Sequence, residues 1–369
     1  MNQFDLVTAK MPILKKELIE NKHKLMDVYT KEVGYTFGDV NLLFEDLIKF
    51  ITGFEKLWSK MLKVWFSEES FYNDWENAKL SRAPWGKVLI CSPYNSVIPL
   101  IPIFIISFCS MGNEVILVPS RKSMNTTILL FDILKKVFAT LDWDFRLILK
   151  EEGYSLWKII ESQNVNLLYY QGSSKSRSDI YNNCINLGVD LIYEGEGNQV
   201  TIIEDPIDSD LHDLVNILVT SKKFCNGQLC TTPNIIFIQS SKINAFLQSN
   251  ESVARENIVY NLMDEKVRKL LNLAPCTNEL FLVEYDNFDI LLQFLRINYK
   301  YGLQVTLFSQ RPEPLQNKIL KVIQTSRLVI NKDPTYQNSL LPWGGYRYSG
   351  LSRVQNFLEK GVKTVVIES

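Results

Sequence analysis

From Trp85 onward the chain alternates short apolar segments with longer helical ones, and this alternation constrains the fold more than any other feature. Lys87-Val-Leu-Ile-Cys91, Glu114-Val-Ile-Leu-Val118, Phe145–Leu149, Val165–Tyr170 and Val189–Tyr193 read as strands, with helices between them. Such alternation favours a doubly wound parallel sheet. After Gly197 a second α/β unit begins. Val200–Ile203, Ile235–Ile238, Leu280–Tyr285, Leu303–Phe308 and Leu328–Asn331 are its expected strands, and Leu211–Phe224 and Phe288–Asn298 its helices. Ahead of the alternation, residues 11–66 repeat apolar positions at helical spacing (Leu14, Leu18, Leu25, Val28). Residues 67–83 read as irregular and aromatic, and Val362–Ile367 as a β-rich end.

Composition narrows the function classes. The 369 residues allow two domains, and a 46% hydrophobic fraction supplies their cores. With 40 basic and 41 acidic residues the net charge is −1, which argues against a dedicated nucleic-acid binder. Cys91, Cys109, Cys184, Cys225, Cys230 and Cys276 are scattered, with no Cys-x-x-Cys pair, so reduced thiols and no metal are expected. The N-terminus is polar rather than secretory. The apolar run Val97–Cys109 is too short to span a membrane and holds Pro99 and Pro102. A soluble, cytoplasmic protein is expected.

The chemistry concentrates at Lys223-Phe-Cys-Asn-Gly-Gln-Leu-Cys230. A cysteine after Asn-Gly-Gln stands 36 positions beyond Glu194, which itself precedes Gly195-Glu196-Gly197. A thiolate attacks an aldehyde to give a thiohemiacetal, which loses hydride to leave a thioester. A carboxylate at a strand end beside glycines sits at the mouth of an α/β crevice, and it can activate the thiol or the hydrolytic water. An arbitrary cysteine is more often buried and inert, the reading kept for Cys225, but the Asn-Gly-Gln context favours Cys230 as nucleophile. Together these residues point to covalent chemistry on an aldehyde or acyl carbon, with a nicotinamide as hydride carrier. Asn95, in the turn Ser92-Pro-Tyr-Asn95, offers an amide donor to a developing oxyanion; alone, it reads equally as a turn residue. Gly172-Ser173-Ser174 follows a strand and offers backbone amides to a pyrophosphate, a weak signal without a full Gly-x-Gly-x-x-Gly.

Taken in order, these segments resemble the aldehyde dehydrogenase superfamily, its class 3 (fatty and aromatic aldehyde) branch above the others. Ala83–Asn95 is similar to the family's strand and oxyanion turn, and Gly112–Ser120 to its Gly-Asn…Lys-Pro-Ser segment. Tyr170-Gln-Gly-Ser173 resembles its Thr-Gly-Ser loop, and Glu194–Asn198 stands at its general-base motif. Asn226–Cys230 resembles its nucleophile motif, Glu279-Leu-Phe281 its Glu-x-Phe, and Pro342–Gly350 its Pro-Phe-Gly-Gly…Ser-Gly turn. The resemblance implies a Rossmann-like cofactor domain, an α/β catalytic domain and a small oligomerisation sheet. Residues 1–196 would form the first, 197–345 the second, and 346–369 would return to the cofactor domain with the strand that pairs across a homodimer. The activity implied is NAD(P)-dependent oxidation of an aldehyde to its acid. Cys230 would be nucleophile, Glu194 base and Asn95 oxyanion donor. Ser92, Pro93, Tyr94, Pro119, Ser120, Arg121, Gly172, Ser173, Glu279 and Phe281 would hold the cofactor.

The chain departs from the family's pattern in places. Val118 stands where the family has a ribose-binding lysine, Arg121 where an acidic residue often selects NAD, and Glu196 where it has a glycine. Arg121, Lys122, Lys175 and Arg177 make the adenosine end positive, which favours the 2′-phosphate of NADP. The stretch from Cys230 to Glu279 is several dozen residues shorter than in the family, leaving the substrate funnel open or completed by a partner subunit. Two further readings stand beside oxidation: NADPH-dependent reduction of an acyl thioester to an aldehyde, and a catalytically silent binding subunit.

Overall fold

The computed structural model describes residues 3–76, 78–149, 155–205, 211–249, 259–273, 279–336, 338–351 and 354–368; Cys276 lies outside them. The chain forms two compact units. The first comprises Met1–Tyr193, Asn338–Trp343 and Gln355–Ser369; the second comprises Glu194–Gln337 and Gly344–Val354.

The first unit contains a five-stranded sheet in which β2 (Lys87–Cys91), β3 (Glu114–Val118), β4 (Phe145–Leu147), β5 (Leu167–Gln171) and β6 (Asp190–Glu194) take the order β4-β3-β2-β5-β6. The registered pairs β2–β3, β2–β5 and β3–β4 are parallel. The chain winds one way through β2, β3 and β4, then returns to β5 beside β2, so the expected doubly wound sheet is present with its direction reversing between β2 and β5. Helix α4 (Val97–Ser110), apolar on all sides, is buried at every position but Leu100. It is a core helix rather than an amphipathic one. Its Phe104 and Phe108 rings meet Tyr169 of β5 at 5.0 and 5.8 Å. Gly112, at φ +85°, turns the chain from α4 into β3. Asn113 then ties three segments: its side-chain amide donates to Phe108 O (2.9 Å) and Gly361 O (2.7 Å), and its oxygen accepts from Gly86 N (3.2 Å).

Three helices precede the sheet: α1 (Gln3–Glu20), α2 (Lys22–Val33) and α3 (Phe37–Glu76). The expected irregular stretch 67–83 is corrected here. Helix α3 continues to Glu76, and β1 (Ala78–Pro84) comes next. Strand β1 pairs antiparallel with β15 (Val362–Glu368) from Ala78↔Glu368 to Pro84↔Val362. A partner so distant in sequence stabilises a strand that local pattern does not announce.

In the second unit, six strands take the order β13-β12-β7-β8-β10-β9, all pairs parallel. They are β7 (Gln199–Ile203), β8 (Pro233–Gln239), β9 (Val259–Asn261), β10 (Phe281–Tyr285), β12 (Gln304–Phe308) and β13 (Arg327–Ile330). One face packs Val200, Ile202, Val305 and Leu307 against Leu291 and Leu295 of a helix over Phe288–Asn298. The other packs Ile203, Ile236 and Phe308 against Leu214, Val215 and Leu218 of α8 (Leu211–Lys223). The short strands β9, β11 (Tyr301–Gly302) and β14 (Tyr346–Arg347) carry no sequence signal of their own. Among the described residues, no helix is long and apolar enough to cross a membrane.

Helix α5 (Met124–Phe138) starts on a carboxylate supplied by α2. Glu32 accepts from Asn125 N (2.7 Å) and Thr126 N (3.0 Å), satisfying two amides that the helix cannot bond itself. Glu32→Ala should cost about 1–2 kcal/mol, the range for a lost N-cap. Amide exchange will accelerate at Asn125 and Thr126 but not in the helix over Arg177–Leu187.

Candidate active site

Cys230 sits on a loop built by backbone geometry that few residue types tolerate. After α8, Cys225 (φ +51°), Asn226 (φ +53°) and Gly227 (φ +67°) are all left-handed. A non-glycine residue there costs about 1–2 kcal/mol. The turn reverses the chain, is closed by Gln228 N to Cys225 O (3.0 Å), and delivers Cys230 just before β8. Of the five described cysteines, Cys91, Cys109, Cys184 and Cys225 are buried and Cys230 is partly exposed.

The Cys230 backbone rests on Gly197. A Cβ at Gly197 would fall 1.8 Å from the Cys230 carbonyl oxygen and 2.9 Å from Leu303 Cδ2, so no side chain fits between these loops. Glu194, buried at 6% exposure, lies three residues before that contact. Its segment is clamped by the Pro-Trp-Gly-Gly…Ser-Gly turn. Glu194 bridges Gly350, Gly195 N donates to Ser349 O (3.1 Å), and Ser349 Oγ donates to Glu196 O (2.7 Å). The sequence marks that turn as a motif without assigning Ser349 a role.

A buried polar chain supports both loops from behind. Lys222, at 1% exposure, donates to Asn234 Oδ1 (2.6 Å), Asn234 Nδ2 to Asn198 Oδ1 (3.2 Å), and Asn198 Nδ2 to Leu270 O (2.8 Å). Tyr299 OH donates to Asn198 O (2.7 Å). A fully buried lysine tied to a neutral amide is not legible in the sequence, which gives only a helix over Leu211–Phe224 there.

Electrostatics hold the resting thiol protonated. Burial and then the charge of Glu194 push the Cys230 thiol up to about 12, while the backbone amides of Cys230 and Thr231 and the guanidinium of Arg327 pull the other way. The buried Cys184 thiol is also raised, to about 11, by burial alone. Exposure and charged neighbours, rather than the direction of the shift, set Cys230 apart.

Asn95 belongs to the first unit, in the turn between β2 and α4. That turn is held by two buried phenols of the helical layer. Tyr29 OH donates to Tyr94 O (2.7 Å) and accepts from Val97 N (3.4 Å), and Tyr35 OH donates to Asn95 O (3.5 Å). Neither tyrosine carries a sequence signal beyond helical periodicity. Ser92 N bonds Val118 O (3.2 Å), and Ser92 Oγ is buried without a partner among the described residues.

The expected cofactor residues divide by unit. Ser92–Tyr94, Pro119–Arg121 and Gly172–Ser173 come directly after β2, β3 and β5, which are neighbours in the sheet, so their loops share its carboxyl edge. Ser120 and Ser173 form matching turns, each hydroxyl accepting from the backbone N–H two residues on, Lys122 and Lys175, at 3.3 Å. Lys122 Nζ lies 4.5 Å over the Tyr94 ring. The orphaned Ser92 hydroxyl and the four cations of these loops fit the polar, anionic parts of a dinucleotide. Glu32 already closes the start of α5, so that helix end takes no phosphate. In the second unit, exposed Glu279 and half-buried Phe281 stand at the start of β10, next to β8 and hence to the Cys230 loop.

The chain and its fold have counterparts among known proteins. Residues 9–269 match the family model described as "Aldehyde dehydrogenase family". Relatives include an aldehyde dehydrogenase family 3 protein, comG, of Dictyostelium discoideum, 23% identical over 93% of this chain and 82% of its own length. A lactaldehyde dehydrogenase of Methanococcus maripaludis is 24% identical over 78% of this chain and 70% of its own. Among solved structures, glyceraldehyde-3-phosphate dehydrogenase GapN of Methanocaldococcus jannaschii, complexed with NADP, superposes with a TM-score of 0.77 at 18% identity, covering 99% of this chain and 90% of that one. An aldehyde dehydrogenase of Bartonella henselae gives 0.81 at 14% identity, covering 100% and 87%.

Two measurements check this site. Cys230 alkylation by iodoacetamide should keep accelerating up to about pH 10 without a plateau, and Glu194→Gln should raise the rate at fixed pH by removing a charge that disfavours the thiolate. Gly197→Ala should destabilise the second unit by about 1–3 kcal/mol through overpacking, read by urea unfolding.

Proposed function

Because the chain belongs to the aldehyde dehydrogenase family, we propose that it oxidises an aldehyde to a carboxylic acid with NAD or NADP through a thiohemiacetal and then a thioester on Cys230. The contact of Gly197 with Cys230, which keeps the partly exposed thiol under the charge of Glu194, carries this reading. Cys230 Sγ, once deprotonated, bonds the aldehyde carbon, and the carbonyl oxygen takes the negative charge. Asn95 donates to that oxygen from its side-chain amide. The nicotinamide, when bound, supplies the acceptor for the hydride lost as the thiohemiacetal becomes a thioester. Glu194 takes a proton from water, whose oxygen attacks the thioester carbonyl, and the Cys230 thiolate leaves with the acid released.

Residues 1–196 carry the cofactor in this reading, with Ser92, Pro93, Tyr94, Pro119, Ser120, Arg121, Gly172 and Ser173 around it. Residues 197–345 carry the nucleophile, with Glu279 and Phe281 as further cofactor contacts. Arg121, Lys122, Lys175 and Arg177 favour NADP, since a ribose 2′-phosphate adds charge that they neutralise. Strands β1 and β15, with Val365 and Val366 exposed at 36% and 58%, support a homodimer formed through that ribbon, in a protein this reading assigns to the cytoplasm. A monomer by light scattering would remove the dimer from this account.

The test is nicotinamide reduction with aliphatic and aromatic aldehydes, offering NADP and NAD separately. Wild type should turn over, faster with NADP. Cys230→Ser should abolish turnover, and Asn95→Ala should lower kcat about 10²–10³-fold, as for a lost oxyanion donor. Turnover that runs only from an acyl-CoA with NADPH would assign thioester reduction instead, and no dinucleotide binding would assign a silent binding subunit.

A further inference from the structure

Arg327 opens β13, where its Cα pairs in register with Gln304. Gln304, Thr306, Gln199 and Thr201 point to the sheet face that α8 covers, and Gln199 Nε2 joins the two strands through Thr201 Oγ1 (3.1 Å) and Thr306 Oγ1 (2.5 Å). The last turn of α8 is tied near that face by Ser221 Oγ donating to Asp333 Oδ1 (2.8 Å), and from there the chain runs directly into the Cys230 loop. Leu303, adjoining Gln304, touches the same Gly197 against which Cys230 rests. Arg327 therefore stands at the sheet edge where the Cys230 loop lies, and its charge acts on Cys230.

The guanidinium is fixed by uncharged hydrogen-bond acceptors. Nη1 donates to Gln304 Oε1 (3.0 Å) and Nη2 to Tyr336 O (2.7 Å), both uncharged acceptors. Among the described residues, no carboxylate lies within ion-pair distance of it. Asp333, close in sequence, acts on the guanidinium through space, while its Oδ1 accepts from Ser221 Oγ, Thr335 N and Thr335 Oγ1. A partly buried cation with no directly bonded carboxylate is incompletely compensated. The two acceptors hold the fork in one plane with N–H groups to spare, the geometry that binds carboxylate or phosphate in a bidentate way. Its partial exposure leaves it open to a ligand rather than sealed against the thiol.

We propose that Arg327 recognises an anionic group on the substrate, so that the site takes an aldehyde whose far end carries a carboxylate or a phosphate. The proposal rests on the reading of Cys230 as nucleophile. Steady-state kinetics with succinic semialdehyde against butanal, and glyceraldehyde 3-phosphate against glyceraldehyde, test it and separate the two anions. In Arg327→Gln, kcat/KM for a charged substrate should fall roughly tenfold to hundredfold, as for a lost charge-assisted bond, mostly through KM. The neutral aldehyde should lose only the smaller share common to both substrates, from the charge withdrawn from the thiol, and Arg327→Lys should recover part of the loss specific to the charged one. Equal losses for charged and neutral aldehydes would overturn the proposal. A second readout needs no turnover: succinate or inorganic phosphate should slow iodoacetamide alkylation of Cys230 in wild type but not in Arg327→Gln. No protection in wild type, or equal protection in both, would also overturn it. An active Cys230→Ser enzyme would instead sink the nucleophile assignment while leaving the protection experiment to judge Arg327.

Discussion

The site depends on the absence of one side chain. Gly197 lets the backbone after Glu194 lie directly on the carbonyl of Cys230, at a separation no Cβ could share. Everything else locks that approach from either side. The Ser349–Gly350 turn grips residues 194–196, the Lys222–Asn234–Asn198 chain fixes the start of β7 just beyond Gly197, and the left-handed turn at Cys225–Gly227 aims the cysteine. Interior packing is dense enough that a contact of this kind transmits any change in one loop to the other.

Such closeness makes an electrostatic conflict. A thiol must ionise to attack, yet burial and Glu194 both disfavour its thiolate. The opposing groups are the two backbone amides at Cys230 and Thr231 and the Arg327 guanidinium. The disfavouring effects prevail, so in the proposed mechanism the thiolate forms with the ligands bound. A bound nicotinamide brings positive charge, and a substrate that excludes water strengthens every remaining dipole. Keeping the thiol protonated until then also protects a partly exposed cysteine from oxidation, since the thiolate is the susceptible form.

Much of this is legible in the sequence. Lys87–Cys91 and Glu114–Val118 can be read with their observed bounds, because wholly apolar runs between helices have few other meanings. The segments holding Glu194, Cys230 and Ser349 are recognisable because glycines and a cysteine stand where backbone approach demands them. The illegible parts depend on partners distant in the chain. Strand β1 exists because β15 pairs with it. Tyr29 and Tyr35 look like ordinary helix-face aromatics, yet their hydroxyls reach the Asn95 turn, at separations of 65 and 60 residues. Lys222 and Arg327 carry no local signal; Lys222 is buried and Arg327 partly buried by a fold that no local window contains.

The order of the segments bears on how the site assembles. Glu194 is the first residue of the second unit, and the chain passes between units again near residues 338, 344 and 355. Each passage is fastened in the unit it enters. Ser339 N and Oγ bond the Asp46 carboxylate, Gly350 bridges Glu194, and Trp343 pairs with Gln355. Contacts between residues so far apart are expensive in loop-closure entropy until the intervening structure exists. The Ser349–Gly350 clamp on Glu194 spans such a separation, so its closure is least costly when the intervening structure is already in place. The position of the Glu194 carboxylate relative to Cys230 thus depends on contacts made more than 150 residues further along the chain as well as on the local loops.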